Sequence, residues 1–581
     1  MRKKIFTLLF CLCCVCVSAQ APVDIFDPFY EDVKIWENTG LIDDAPLIRP
    51  YPLQEIKRIL NIVTEKGSSN QIRRAKEYQN RFFGKVFHFG GISTVGIKLP
   101  KKQTDFSLSP VMELNFSLSE ILTGSAHVNF SLLNNIPKQE KLPAFKFSTK
   151  DIAEDNSVVG KFTLLPMFNS GVAIGTPEYY FMAGMARTSF GPFAENNILI
   201  GKQGMHAGQF IFVVNKEKFT YNQTLLAISA SNDKKSDLYP KKFLTAHSIQ
   251  YRPLPWISLG IIDMMIYGKR FEPIYLIPLS AFFIGQSIFG FPDNSLLGLT
   301  FSIKPVLGLK LDCVLLADDL GFNEIIKFKS ARWRMAGQFG ISYALPKDYW
   351  FTFVDFNYTL ITPYCYTHVD SHRSDYPNYQ NFTHNGEPLG TNLPPNSDRI
   401  NLKLKLRPLY GMDINISNTF IRHANITESI NDMNDDTQLK LVKSYFSKEY
   451  TTDGSVFNHP TATSKGKNDN ETSWDDHAFL YSTPFMKQKT IQYVNQLELE
   501  LAYNFPIIKS GGIIQVKAGY IFETNINGGI NKNIYKKNTS VNINDIDAIK
   551  AEQQKQLNEW RKGAKGKEFN HFLNFAIKIV Y

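Results

Sequence analysis

Cysteine is scarce in this chain, and four of its six copies, Cys11, Cys13, Cys14 and Cys16, crowd into the first sixteen residues. Only Cys313 and Cys365 follow, too few for a disulfide-built scaffold. Long apolar runs are also missing. The stretch 273–291 approaches the length a membrane-crossing helix needs, but Pro278, Gly285 and Gln286 interrupt it, which excludes a helical membrane protein. Charged residues make up only 20% of the chain and aromatics 13%, the reverse of a disordered polypeptide. No G-x-S-x-G, H-E-x-x-H or G-x-x-x-x-G-K-[ST] pattern falls on a suitable strand or helix. The chain therefore reads as no enzyme, with no cofactor and no resident metal.

What is present begins with a leader. Arg2, Lys3 and Lys4 precede an apolar stretch over 5–17, and Val17-Ser18-Ala19 offers a small-residue cleavage site before Gln20. Residues 1–19 thus read as a secretory signal, and the protein as exported. Lipid attachment at a leader cysteine is the alternative, although none has a small residue directly before it. Without the three leader cations, 61 Lys and Arg face 54 Asp and Glu, a net +7. That mild excess suits an anionic partner and carries no footprint of nucleic-acid binding.

Residues 20–83 read as helical. Asp27 and Pro28 give a cap and first turn, with Phe29, Val33 and Trp36 on one face and Gly40 as the stop. A second helix starts near Pro52 with Leu53, Ile56, Leu60 and Val63 at helical spacing, and a third follows Ser69 through Ile72, Ala75 and Tyr78. Such stripes are packing surfaces, so the bundle must dock on something.

From residue 84 the period changes to two. Met112, Leu114, Phe116 and Leu118 alternate with polar neighbours. After a turn placed at Thr123-Gly124, so do Ala126, Val128, Phe130 and Leu132. Ile400 to Leu406, Leu497 to Phe505 and Phe569 to Tyr581 repeat the pattern. A soluble sandwich alternates too. Three features favour a membrane: segments of ten or more residues, a chain ending on an aromatic inside its last strand, and connections that alternate between short and long. Short turns are expected at Arg252-Pro253, Lys304-Pro305, Leu345-Pro346, Arg407-Pro408 and Phe505-Pro506. Long excursions are expected near 231–242, 268–294, 317–331, 362–398, 422–489 and 525–568. This is the rhythm of short periplasmic turns and longer outer loops. The expectation is an all-β transmembrane barrel of about 18 antiparallel strands over 84–581, a small periplasmic helical bundle over 20–83, and outer-membrane lipid around a monomeric ring.

The segment FYEDVKIWENTGLIDDAPLIRPYPLQEIKRIL resembles the start of the capsule-assembly Wzi family of outer-membrane proteins. So, in order along the chain, do MARTSFGPFAENNILIG, KKFLTAHSIQYRPLPW, IYGKRFEPIYLIPL with PDNSLLGL, and FTHNGEPLGTNLPPNSDRINLKLK. The resemblance implies an outer-membrane barrel that anchors or organises surface polysaccharide without enzymatic chemistry. Gliding-associated barrels of this architecture are similar as well, and one S-layer-homology-like half-motif lies in the helical part. The 422–489 excursion and a helical-looking 543–561 insert depart from a compact family pattern.

Candidate ligand-binding residues fall in three places. Arg399, Lys403, Lys405 and Arg407 share a charge-rich strand with Asn401 and must face inward, since each facing lipid near the midplane would cost roughly 2–4 kcal/mol. They make either an ordinary solvated interior balanced by acids elsewhere or a basic track for acidic sugars. The loop 362–398 gathers Tyr364, Tyr366, Tyr376, Tyr379 and Phe382 with His368, His372 and His384. These rings either stack on sugars or pack the loop into the barrel mouth. The three histidines match no metal-ligand spacing. The apolar stretch after Tyr267-Gly268-Lys269-Arg270 is expected to plug the mouth, with Arg270 pairing a carboxylate. The acids Asp432, Asp435 and Asp436 lack the glycine-turn spacing of a calcium loop. A porin-like barrel, or one carrying apolar solutes, is the other functional reading.

Overall fold

The computed structural model describes residues 24–134, 142–147, 157–193, 195–204, 206–229, 241–288, 293–318, 334–346, 350–367, 379–384, 387–447, 485–507 and 512–581. The leader, His368, His372 and Tyr376 lie outside the described residues.

Helix α1 spans Pro28–Asn38, and the Asp27 side chain accepts from the Phe29 amide at its start, 2.9 Å away. Gly40 then takes φ +73, a left-handed stop that glycine adopts without strain. Helix α2 spans Leu53–Lys66 and α3 Ser69–Phe83, the latter opened by a Ser68–Gln71 capping box. Phe29, Trp36, Ile56, Leu60, Tyr78 and Phe82 bury against each other as a separate small core.

Eighteen strands close the ring. They are β1 Phe87–Leu99, β2 Gln103–Ser117, β3 Leu122–Leu133, β4 Phe162–Thr176, β5 Tyr179–Ala186 and β6 Ala207–Lys216. Next come β7 Phe219–Ser229, β8 Lys241–Leu254, β9 Ile257–Gly268, β10 Asn294–Val306, β11 Leu309–Asp318 and β12 Arg334–Ala344. The last six are β13 Phe351–Ile361, β14 Ser397–Leu406, β15 Met412–Ala424, β16 Ile491–Ile507, β17 Gly512–Ile526 and β18 Lys567–Val580. Each pairs antiparallel with its neighbours, and β18 pairs with β1 (Gly90 opposite Val580), so no edge remains. A three-residue strand, Ser157–Val159, adds a hairpin to β4.

Outward side chains form an apolar belt. Leu297, Leu299, Phe301, Leu497, Leu499, Leu501, Phe575, Ile577 and Ile579 are each 37–51% exposed. A continuous belt of that kind is far beyond what a soluble surface carries and is what acyl chains cover. Among the described residues no helix is long and apolar enough to cross a membrane. The barrel crosses with its strands.

Some expected turns move. Thr123 and Gly124 lie inside β3, and the turn sits at 118–121, because Ser119 and Glu120 are the polar pair that can leave the ladder. Pro253, Pro305 and Pro506 occupy the last residues of β8, β10 and β16 rather than turns. A missing N–H is tolerated at a strand end. At the β10–β11 turn, Gly308 has φ +91, and an added Cβ would lie 2.4 Å from the Ala344 carbonyl oxygen. Gly308→Ala is expected to cost about 1–2 kcal/mol. The check is a lower temperature at which the heat-modifiable folded form is lost on gels.

Both ends of the barrel are furnished. The short turns at 118–121, 177–178, 217–218, 255–256, 307–308 and 407–411, with the start of β1 and the end of β18, lie at the end that α1–α3 cover, whereas the β1–β2 turn at 100–102 lies at the other. At the covered end Lys34 pairs with Asp355 (2.7 Å), Asn38 donates to Ser342 Oγ (2.9 Å) and Gln54 to the Ala173 carbonyl (3.2 Å). At the opposite end, α4 (Asp436–Ser447) and α5 (Ile546–Ala564) pack through Tyr445, Phe446, Tyr535, Leu557 and Trp560 into a cap. The described part of the 422–489 excursion and the 543–561 insert, which looked unlike a compact pattern, therefore pack together as one helical subdomain. The Gln438 amide donates to Asp435 Oδ1 (3.1 Å) at its start.

A packed core fills the lumen beside β4–β12. The connection 187–206 folds inward, held by a two-residue ladder of Ser189 and Phe190 with Ile48 and Arg49. Its Phe193, Ile198, Leu199 and Ile200 pack on inward residues of β4–β12. Cys365 joins this core, whereas Cys313 points outward from β11, so the two thiols sit on opposite sides of the wall and are free.

The connection 269–293 corrects an expectation. In β9, Ile262, Met264 and Ile266 belong to the luminal core, so Asp263, Met265 and Tyr267 face out. Tyr275 and Phe282 pack on Met265 and Tyr267. The segment thus covers the outside of the wall and does not plug the mouth.

Candidate functional site

The inward row on β14, continued by Arg407 just past its end, divides into a locked lower half and an open upper half. Arg407 pairs with Asp32 of α1 (2.5 Å) and Asp413 of β15 (2.6 Å), and Lys405 with Glu31 (2.5 Å). Lys403 bridges Glu31 (2.7 Å) and Glu195 of the inward connection (3.0 Å). Among the described residues Arg399 meets neutral oxygens, Asn392 Oδ1 at 3.2 Å and Thr359 Oγ1 at 3.4 Å. The acids that balance this row are supplied by the bundle, by the 187–206 connection and by Asp413 of β15.

Above these pairs lies a polar chamber of about 350 Å³, lined by the β14–β17 wall, Glu31, Glu195, Lys202 and three phenylalanines, Phe26, Phe145 and Phe147. A second lobe of about 580 Å³ extends toward the cap, past Glu523, Asn525, Asn531 and Asn570. The segment 142–147, tucked in from the β3–β4 connection, borders both lobes. Glu523 accepts from the Ala144 amide (2.7 Å), Gln496 donates to the Ala144 carbonyl (2.8 Å), and Lys146 pairs with Glu498 (3.0 Å). Phe147 lies 6.2 Å from Phe26 and Phe145 6.0 Å from the His423 ring.

The charges do not all cancel. Lys146 with Glu498, Lys517 with Glu500 (2.5 Å) and Lys403 with its two acids are paired. Lys202 and Arg399 have no carboxylate at ion-pair distance among the described residues, and the Lys202 ammonium stands 5.7 Å from the Phe26 ring centre. Burial pushes Lys202 down to about 8, against the opposing pull of Glu195, while Lys403 draws the Glu195 carboxyl to about 2. A site with two under-compensated cations, ring faces and a dense set of amides and hydroxyls can hold an anionic, polyhydroxylated group.

The other sequence candidates lie elsewhere. Tyr364, Tyr366 and Tyr379 are at most 2% exposed. Tyr366 stacks on Phe382 at 5.3 Å and donates to the Ile198 carbonyl, 2.7 Å away. His384 accepts from the Ser229 amide (3.0 Å), and Lys242 donates to the carbonyls of Asn381 and Thr383 (2.7 Å each). The described part of that loop packs into the mouth with its own aromatics. Arg270 pairs with Asp293 at 2.6 Å on the outer face, away from the chamber. Sequence reasoning missed Phe26, Phe145, Lys146, Phe147, Glu195 and Lys202. The one available signal was the aromatic–cation triplet Phe145-Lys146-Phe147 within a long polar connection.

No family model matches the sequence, and no curated protein matches it. The architecture has solved counterparts. Superposed on Wzi of Escherichia coli, described as an outer-membrane protein involved in group 1 capsule assembly and a carbohydrate-binding β-barrel, the chain gives a TM-score of 0.53. The alignment covers 96% of this chain and 99% of that one at 12% identity. The fold is similar to that of Wzi. Looser likenesses include Pseudomonas aeruginosa OccD3, at TM-score 0.38 and 9% identity over 86% of this chain and 91% of that one. Another is OpdK of the same organism, solved with vanillate, at 0.40 and 8% over 85% and 98%. At 12% identity the Wzi likeness establishes a shared outer-membrane barrel fold and no shared ligand.

Proposed function

We propose that the chain is a non-enzymatic outer-membrane barrel that binds and anchors acidic surface polysaccharide in its luminal chamber, with α1–α3 in the periplasm and the cap outside. Short turns gathered at the helical end support that orientation. The likeness of fold to a carbohydrate-binding barrel is in keeping with the reading. The observation that carries it is the chamber itself, lined by Lys202, Arg399, Phe26 and Phe147, where neither cation has a carboxylate at ion-pair distance among the described residues.

A uronic-acid polysaccharide titrated against the purified full chain is expected to bind, and its neutral counterpart to bind less. Lys202→Gln and Arg399→Gln should each weaken binding by about 1.5–3 kcal/mol, the usual worth of a charged hydrogen bond. Because Lys202 loses its proton near pH 8, affinity should fall as pH rises through that value, and the step should vanish in Lys202→Gln. Equal binding of acidic and neutral glycans, or none, removes the reading.

A further inference from the structure

We propose that residues 269–288, which follow β9, form a strap seated in the acyl chains of the membrane leaflet at the long-loop end, where it seals a polar seam in the outward wall. The seam is made by Gln223 of β7, Thr245 and His247 of β8 and Asp263 of β9. Cross-strand register sets His247 opposite both Gln223 and Asp263, and Thr245 opposite Met265, on the same outward face. Directly below on that face, Ile261 and Leu259 are exposed, and beside it so are Leu297 and Leu299 of β10. The seam is thus a polar interruption at the upper border of an otherwise apolar belt.

The strap meets this seam with its own polar groups. Its Phe282 amide donates to Asp263 Oδ2 (2.8 Å), and Gln223 donates to the Tyr275 carbonyl (3.1 Å). The Phe282 ring lies 4.2 Å from the His247 ring. The base is clamped where Arg270 and the Tyr275 hydroxyl both donate to Asp293 (2.6 and 2.7 Å). The contacts to Asp263, Gln223 and His247 all point toward the wall. The opposite side carries Phe271, Ile277, Leu279, Ile284 and Ile288, exposed by 49–72%.

That distribution is inverted for a loop in water and correct for one in lipid. Polar atoms in an acyl layer must be paired internally, and apolar side chains should face outward. The exposed strap residues continue the belt of Ile261, Leu297 and Leu299, so the covering partner is the one that already covers the belt. Uncovered, Asp263, His247 and Gln223 would face acyl chains at a depth where the neighbouring strand presents leucine.

The test uses the full chain, with Cys313→Ala as background, in vesicles of phosphatidylethanolamine and phosphatidylglycerol. A nitroxide is attached at Ile284→Cys, with Leu279→Cys as second site should the first fail to fold. Leu299→Cys serves as a lipid-facing reference and Lys555→Cys on the cap as an aqueous one. Collision with dissolved oxygen and with a water-soluble nickel chelate is read by paramagnetic resonance. The strap label should match Leu299→Cys, rich in oxygen and poor in nickel collisions. A profile matching Lys555→Cys would place the strap in water and overturn the proposal. Shielding from both probes would replace the lipid by a protein partner, and overturns it equally.

Discussion

Asp32→Asn is expected to loosen the helical bundle from the barrel by about 3–5 kcal/mol, the usual result of removing one partner from a buried ion pair. Asp32 is fully buried and accepts from Arg407 (2.5 Å), Arg74 Nε (2.9 Å) and the Tyr78 hydroxyl (2.7 Å). With its charge gone, Asp413 alone faces two guanidiniums, at 2.6 and 3.2 Å. The pH dependence follows from the same contacts. Burial raises the Asp32 carboxyl, but Arg407 and Arg74 pull harder, and it ends below the ordinary range. A carboxylate depressed in the folded state stabilises above its unfolded value near 3.9 and loses that contribution as pH falls through the folded one. Docking should therefore hold steady from about pH 8 to about 5 and weaken only in strong acid. Limited trypsin digestion reads the outcome: the variant should be cut within 39–83 while the barrel stays intact. Wild-type protection in the variant would show that the apolar packing of α1–α3 carries the docking alone.

The barrel was legible because the lipid enforces its pattern. Leu497, Leu499 and Leu501 must alternate with Gln496, Glu498 and Glu500 wherever one wall face meets acyl chains and the other water, so period, strand length and parity all surface in the sequence. The helices were legible through local chemistry, the Asp27 cap and the Ser68–Gln71 box. The chamber was not. Lys403 announced itself as an inward cation, but its partners are 372 and 208 positions away, at Glu31 and Glu195, and no local rule links them. The tyrosines of 362–398 looked like a sugar platform because aromatic content cannot distinguish a ring facing a ligand from one facing Ile198. The strap misled for a related reason. An apolar stretch can turn to the lumen or to the lipid, and only the parity of β9 decides between them.

Passage through the ring separates an anchor from a porin, and here the bundle sets the expected size of the effect. Contacts from α1–α3 and their connections reach nearly around the rim. Thr123 donates to Gln54 (2.5 Å), Asn215 to the Asp44 carbonyl (2.9 Å), Lys304 pairs with Asp43 (2.7 Å) and Lys403 and Lys405 close on Glu31. With the packed core beside β4–β12 behind them, they should leave the full chain almost silent in a planar bilayer. In Glu31→Gln/Asp32→Asn, the cations of β14 lose both helix partners. Every 1.4 kcal/mol multiplies the undocked fraction about tenfold, so openings should become on the order of a hundred- to a thousand-fold more frequent. They should also be anion-favouring, because Arg399, Lys403, Lys405 and Arg407 then line the path with less acid to offset them. Steady conductance from the unaltered chain would put the porin reading first. Silence in both proteins would mean that the inward connections, and not the helices, close the barrel.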